Sequence, residues 1–245
     1  MAGRAGVLPI LRVPREEFIA ERWAYEPGEH VTVLAPTGNG KTTLMYQLLD
    51  ATATERVPAV SLVMKPRDST AVQFTKRAGF RRVAAWPPPP SPWHPRRQRG
   101  YTLWPRHRLR DPLATLDHQE AVFREALLDS YARGRRIVFA DELYSLDNEL
   151  GLRDELVCIW TKGRSMECGL WGASQKPSHV PLWAYSQATH MFLSWDPDVR
   201  AQQRYGEIGG MDPELIRSGV EQLDEYEWVY VHRAGRRSSI CIVGA

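Results

Sequence analysis

The stretch His30–Thr43, HVTVLAPTGNGKTT, sets a β-branched apolar run directly before a loop carrying Gly38 and Gly40 and a Lys-Thr-Thr turn. Val31 to Leu34 read as a buried strand and the residues from Lys41 as a helix, so the loop joins a strand to a helix N-terminus. Backbone N–H groups of such a loop converge on one point, and the helix dipole adds positive potential there, as a bound phosphate requires. The pattern is G-x-x-x-x-G-K-[ST] with Ala35 in the first glycine position. A methyl group is tolerable there if Ala35 keeps φ below zero. Contacts to ATP are therefore expected from Ala35, Pro36, Thr37, Gly38, Asn39, Gly40, Lys41, Thr42 and Thr43. Lys41 would act as a mobile point charge on the phosphate oxygens, and the Thr42 hydroxyl would help hold Mg2+.

Working outward, VPAVSLVM and the weaker RRVAAW read as strands, and LATLDHQEAVFREALLDSYARG as an amphipathic helix stopped by Gly134. RIVFADE, CGLWGASQ and HMFLSW are short apolar runs suited to buried parallel strands, while YEWVYVH and SSICIVGA, joined by RAGRR, read as a C-terminal β-hairpin. Strands alternating with helices predict an α/β fold, a mainly parallel central sheet flanked by helices. With 245 residues and 43% hydrophobic content, the chain suits one large core. Residues 1–29 are expected to form an N-terminal extension and 30–245 a single domain, interrupted at about 87–110 by a Pro- and Arg-rich insertion. Its PPPPSPWHPRRQRG favours polyproline II, hence an exposed, semi-rigid loop. No apolar run of about 18 residues occurs, so no membrane anchor is expected. Cys158, Cys168 and Cys241 are widely spaced without a C-x-x-C pair, as in reduced thiols of a cytoplasmic protein.

Asp141 and Glu142 close the apolar run of IVFADE. At the carboxyl end of a parallel strand, Asp141 would bind Mg2+ through water and Glu142 would polarise an attacking water. A D-E pair also occurs in ordinary solvated turns, but here an apolar strand precedes it. Ser174 and Gln175 end a further strand, and an uncharged amide there is suited to sensing a γ-phosphate or orienting water.

Charge is uneven. Residues 76–110 hold ten Lys or Arg and no acid, leaving 22 basic against 29 acidic residues elsewhere. Arg96, Arg97, Arg99, Arg106, Arg108 and Arg110 form the expected polyanion contact, interleaved with Trp86, Trp93, Tyr101 and Trp104. Exposed aromatics would stack on unpaired bases; on duplex DNA they would brace the loop instead. A solvated basic insertion, or a site for an acidic protein, is the alternative.

The succession APTGNGKTT, IVFADE, TKGRSMECGLWGASQKPSHVP and ATHMFLSWDPD, roughly residues 28–210, resembles the HerA/FtsK superfamily and within it the compact viral genome-packaging ATPases. The resemblance implies a RecA-like (ASCE) P-loop NTPase core, catalytic Lys41 and Glu142, sensor Gln175, and an arginine finger given across a subunit interface, with Arg164 the first candidate and Arg153 the second. It also implies a homo-oligomeric ring of about five or six subunits acting on double-stranded DNA, with a capsid or portal-type protein as partner and a cytoplasmic or virion-associated location. Departures are Ala35, and VMKPRDS as a partial echo of the Asp-Pro-Lys often found after the second strand. Two other readings stand beside the DNA translocase: an ATPase acting on a protein partner in phage assembly, resembling the zonula occludens toxin proteins, and a small-molecule P-loop kinase. The latter has little use for Glu142.

Overall fold

The computed structural model describes residues 10–91, 98–175, 180–207, 211–233, 235 and 238–245. The chain forms two bodies, the first from Met1–Ala24, Val31–Gly40 and Ser174–Ala245, the second from Tyr25–His30 and Lys41–Ala173. The first contains β1 (Arg12–Val13), β2 (Val31–Leu34), β8 (His190–Leu193), β9 (Trp228–His232) and β10 (Ser239–Val243), in the order β1-β10-β9-β8-β2. β9 and β10 are the antiparallel hairpin read from the sequence. The second contains β3 (Ala59–Leu62), β4 (Arg81–Val83), β5 (Gly100–Leu103), β6 (Arg136–Ala140) and β7 (Cys168–Ser174, its last residue in the first body), in the order β7-β6-β3-β5-β4 and parallel throughout.

Four of the helices start at an aspartate cap that the sequence supplies. In the second body, α2 (Lys41–Thr52), α3 (Ser69–Arg77), α4 (Pro112–Arg133) and α5 (Arg153–Lys162) cover the strands. Asp68 caps α3 by accepting from the Ala71 N–H, and Asp111 caps α4 by accepting from the Ala114 N–H. α4 stops at Gly134, whose φ of 64° is the left-handed conformation glycine adopts at low cost. The first body carries α1 (Arg15–Glu17), α6 (Leu182–Ser186), α7 (Val199–Gly206) and α8 (Pro213–Glu221). Its N-terminal segment is part of the core: the Phe18 ring lies 4.7 Å from Tyr230 and 6.0 Å from Phe192, centroid to centroid.

β3 and β7 are buried along their whole length, which continuous apolar runs permit only when both sheet faces are covered. Their register sets where chemistry emerges. Leu62 pairs with Ala140 and with Leu103, and Val83 with Leu103, so β3, β4, β5 and β6 end at one level. The residues that follow them, Lys65, Ala84, Trp104 and Asp141 among them, share the carboxyl edge of this sheet. Such edges hold ligands in open parallel sheets.

Within the Pro- and Arg-rich 87–110 stretch, Gly100–Leu103 form β5, which pairs with both β3 and β4. Stacking on unpaired bases is not open to Trp86 and Trp104: each is 5% exposed, and the Trp86 Nε1 donates to Asp129 Oδ2 at 3.0 Å. Burying rings of this size is favourable, and the Trp86 N–H has its hydrogen-bond partner. Trp93, Arg96 and Arg97 lie outside the described residues. No described helix is long and apolar enough to cross a membrane.

Burial in the second body has a pH consequence. His30 Nδ1 accepts from the Leu170 N–H at 3.0 Å, and the ring packs 4.7 Å from Trp160. Burial, then the nearby Arg164 charge, lowers its pKa to about 4. Unfolded, the imidazole titrates near 6.5, so the unfolded state binds more protons between these values. Stability is therefore expected to fall as pH drops from about 6.5 to 4, by about 3 kcal/mol in all. Urea midpoints across this range should show the loss, and His30→Gln should flatten it.

Candidate nucleotide site

In the first body, β2 runs into the loop 35–40. Ala35 is fully buried and donates its N–H to the Ser174 carbonyl at 3.2 Å. Among the described residues only Arg135, Glu167 and Tyr226 have positive φ without being glycine, so Ala35 meets the condition that its side chain imposes. Gly38 and Gly40 take φ of 92° and 79°. The loop is tied down at two points. Asn39 Nδ2 donates to Ser194 Oγ at 2.7 Å and to the Trp195 carbonyl at 3.3 Å, beyond the end of β8. Thr37 Oγ1 donates to Gln175 Oε1 at 2.7 Å. The amide carried at the end of β7 thus touches the glycine-rich loop itself. Tyr226, in the turn before β9, brings its ring to 3.4 Å of the point where a Cβ on Gly40 would stand. Nothing in the local pattern of DEYEW marks that residue, because its position comes from the turn.

In the second body, Lys41 is the first residue of α2 and only 8% exposed. Thr42 Oγ1 donates to Asp141 Oδ1 at 2.7 Å across a separation of 99 positions. The other carboxylate oxygen, Asp141 Oδ2, takes the Lys65 ammonium at 2.9 Å. Burial lowers the Lys65 pKa, but the charge and hydrogen bond of Asp141 outweigh it and the net shift is upward. Glu142 follows directly, half-buried. Lys65 went unassigned in the sequence, although VMKPRDS marked its segment.

Other predicted positions are not gathered here. Arg164 is exposed on the 3-10 turn Gly163–Met166 that precedes β7. Because β6 and β7 are parallel with Arg136 opposite Cys168, Arg164 sits at the end of the strands remote from Asp141. Arg153 opens α5 with its Nε 4.0 Å from Asp147 Oδ1. Arg99 donates through Nε to the Ala53 carbonyl at 3.2 Å and pairs with Asp50 Oδ1 at 3.2 Å, so its guanidinium faces the end of α2 rather than solvent. Arg106, Arg108 and Arg110 are exposed.

The fold is that of a P-loop ATPase. The chain is similar to the genome packaging NTPase B204 from Sulfolobus turreted icosahedral virus 2, crystallised with sulfate, at 13% identity over 89% of this chain and 97% of that one, with a TM-score of 0.61. It is similar to VirB4 of Thermoanaerobacter pseudethanolicus at 10% identity over 88% of this chain and 89% of that one, TM-score 0.63. A third neighbour is the cytoplasmic domain of the Thermomonospora curvata type VII secretion ATPase EccC, with 17% identity, 89% of this chain, 26% of that one and a TM-score of 0.53. No protein-family model and no curated protein matches the sequence.

The donor set on α2 and after β6 fits a divalent cation. A hydroxyl and a carboxylate already meet at 2.7 Å, and that carboxylate attracts the Lys65 ammonium. Hard oxygen ligands of this kind suit Mg2+.

Proposed function

We propose that the chain hydrolyses ATP as one subunit of a ring that moves double-stranded DNA, in the packaging of a viral genome. The pairing of Thr42 with Asp141, with Glu142 next in sequence, carries this reading. The hydroxyl and carboxylate that would hold a metal are joined, and a second carboxylate follows in sequence that would take a proton from water. The loop 35–40 and the helix start at Lys41 are consecutive in the chain. Their N–H groups and the Lys41 ammonium would bind the triphosphate, with Thr42 and Asp141 holding Mg2+. Bound Mg2+ would offset phosphate charge. Gln175, touching Thr37, would report the state of the γ-phosphate to the end of β7. Arg164, or failing it Arg153, would serve a neighbouring subunit rather than its own.

Fold similarity to a viral packaging NTPase supports the DNA substrate, as does the acid-free basic stretch. Phosphate release measured with and without duplex DNA across a salt series tests it: stimulation that fades as salt rises is expected, through counterion release. Absence of stimulation at every salt concentration would sink it. A mass measurement with an ATP analogue and DNA tests the ring. The similarity to a secretion ATPase favours, as a second reading, action on a protein; a partner retained after nuclease treatment would select it.

A further inference from the structure

Beside the catalytic carboxylates, the second body has a cleft of about 540 Å³ that none of the assigned nucleotide contacts lines. It opens at the same carboxyl edge, between the segments that follow β3, β4 and β5. Arg67 comes from the first segment, Arg82 from β4, and Trp104, Arg106 and His107 from the third. Among the described residues no carboxylate lines it, and none of these three arginines enters a salt bridge. Three exposed arginines line one cleft without a neutralising acid among the described lining residues, which leaves it a positive potential. That arrangement is suited to anions. Arg82 is also preset, with its guanidinium carbon 4.1 Å above the Trp104 ring, so less rotamer freedom remains to be lost on binding.

The cleft wall is fastened to the segment that reaches the metal carboxylate. Trp104 Nε1 donates to the Lys65 carbonyl at 2.9 Å, Gln119 Nε2 donates to the Met64 carbonyl at 2.9 Å, and His107 Nε2 lies 2.8 Å from that same oxygen. Lys65 then holds Asp141. A ligand gripped by Arg67, Arg82 and Arg106 therefore pulls on backbone whose next side chain is bonded to a catalytic acid.

We propose that this cleft binds backbone phosphates of duplex DNA and that occupancy is transmitted to the ATP site through the Met64–Arg67 segment. The inference rests on the DNA-motor reading and gives it a contact surface other than the 96–99 arginines. Groups spread over three strand ends suit successive phosphates, and none offers the paired donor and acceptor that base reading needs.

The test uses the full chain and a short duplex of random sequence. Arg67→Ala/Arg82→Ala/Arg106→Ala is compared with Arg22→Ala/Arg56→Ala/Arg200→Ala, which removes equal charge from exposed positions elsewhere. The cleft variant is expected to lose at least about tenfold in duplex affinity relative to this control, and the slope of log K against log salt should shrink by about 0.9 per lost phosphate contact. Its DNA-independent ATP hydrolysis should be unchanged. Trp104→Phe keeps a ring under Arg82 but deletes the bond to Lys65, so DNA should still bind without stimulating hydrolysis. Equal duplex affinity in cleft and control variants would overturn the site while leaving the motor reading intact. Retained stimulation in Trp104→Phe would overturn the transmission. Cleft-dependent binding of polyglutamate in place of DNA would assign the site to an acidic protein and overturn it too. A wild-type chain that neither binds DNA nor responds to it removes both readings together.

Discussion

Glu142→Gln is expected to lower ATP turnover by about 10²- to 10⁴-fold while nucleotide affinity stays close to that of the wild type. The two side chains have nearly the same shape and both accept hydrogen bonds through an oxygen, so packing at the end of β6 should survive. What the amide lacks is the capacity to take a proton from water. Asp141, one residue earlier, remains bonded to Thr42 and Lys65, so the residues proposed to hold Mg2+ are untouched. Phosphate release and titration with a fluorescent ATP analogue read the two effects separately. A merely structural Glu142 would leave turnover as it was, and a chain that passes phosphate to a metabolite would lose little. Either result would remove hydrolysis from the proposed mechanism.

The parts legible in the sequence are those where one local pattern decides the outcome. VTVL before the glycine loop, RIVFA before the acid pair and CGLWGAS are each apolar on both sides of the strand, and each is a buried strand. Gly134 ends α4 because its conformation penalises any residue with a Cβ. The parts that were not legible depend on partners far away in the chain. GYTL begins with glycine and sits among prolines and arginines, yet it forms β5 because β3 and β4 offer it backbone partners on both sides. Its glycine is required by packing, since a Cβ at Gly100 would fall 2.2 Å from the Phe80 ring. Likewise β1 is only two residues long, and its register is supplied by β10 from the other end of the chain.

The same distinction holds at the site. Lys41, Thr42, Asp141 and Glu142 are marked by motif, because chemistry demands those side chains after a loop or a strand end. Arg82 is marked by nothing local, and VMKPRDS and the basic stretch mark only the segments that carry Lys65 and Trp104. Their roles arise from register: four parallel strands end level, and whatever follows them is brought together. The arginine-rich stretch shows the converse. Composition alone treats its basic residues as equivalent, whereas the fold turns Arg99 onto the end of α2 and leaves Arg106 exposed at a cleft.

Lys41→Ala should fail differently from Glu142→Gln, and the contrast separates binding from chemistry. Alanine is the best helix former, so α2 should keep its first turn, and the positive φ of Gly38 and Gly40 does not depend on the lysine side chain. The substitution removes the ammonium together with the aliphatic stem beyond Cβ. A charge-assisted hydrogen bond to phosphate contributes about 1.5–3 kcal/mol, so ATP affinity should drop by about 10- to 100-fold. Turnover at saturating ATP should fall further, by about 10³-fold, because negative charge on the transferring phosphoryl group must still be stabilised as the bond to its leaving oxygen breaks. Lys41→Arg should not restore it: at 8% exposure the position has little room for a planar guanidinium. Calorimetric titration with a non-hydrolysable analogue gives the first loss and saturation kinetics the second. Wild-type affinity in Lys41→Ala would mean that the loop after β2 does not hold the triphosphate, and the ATPase reading would fall with it.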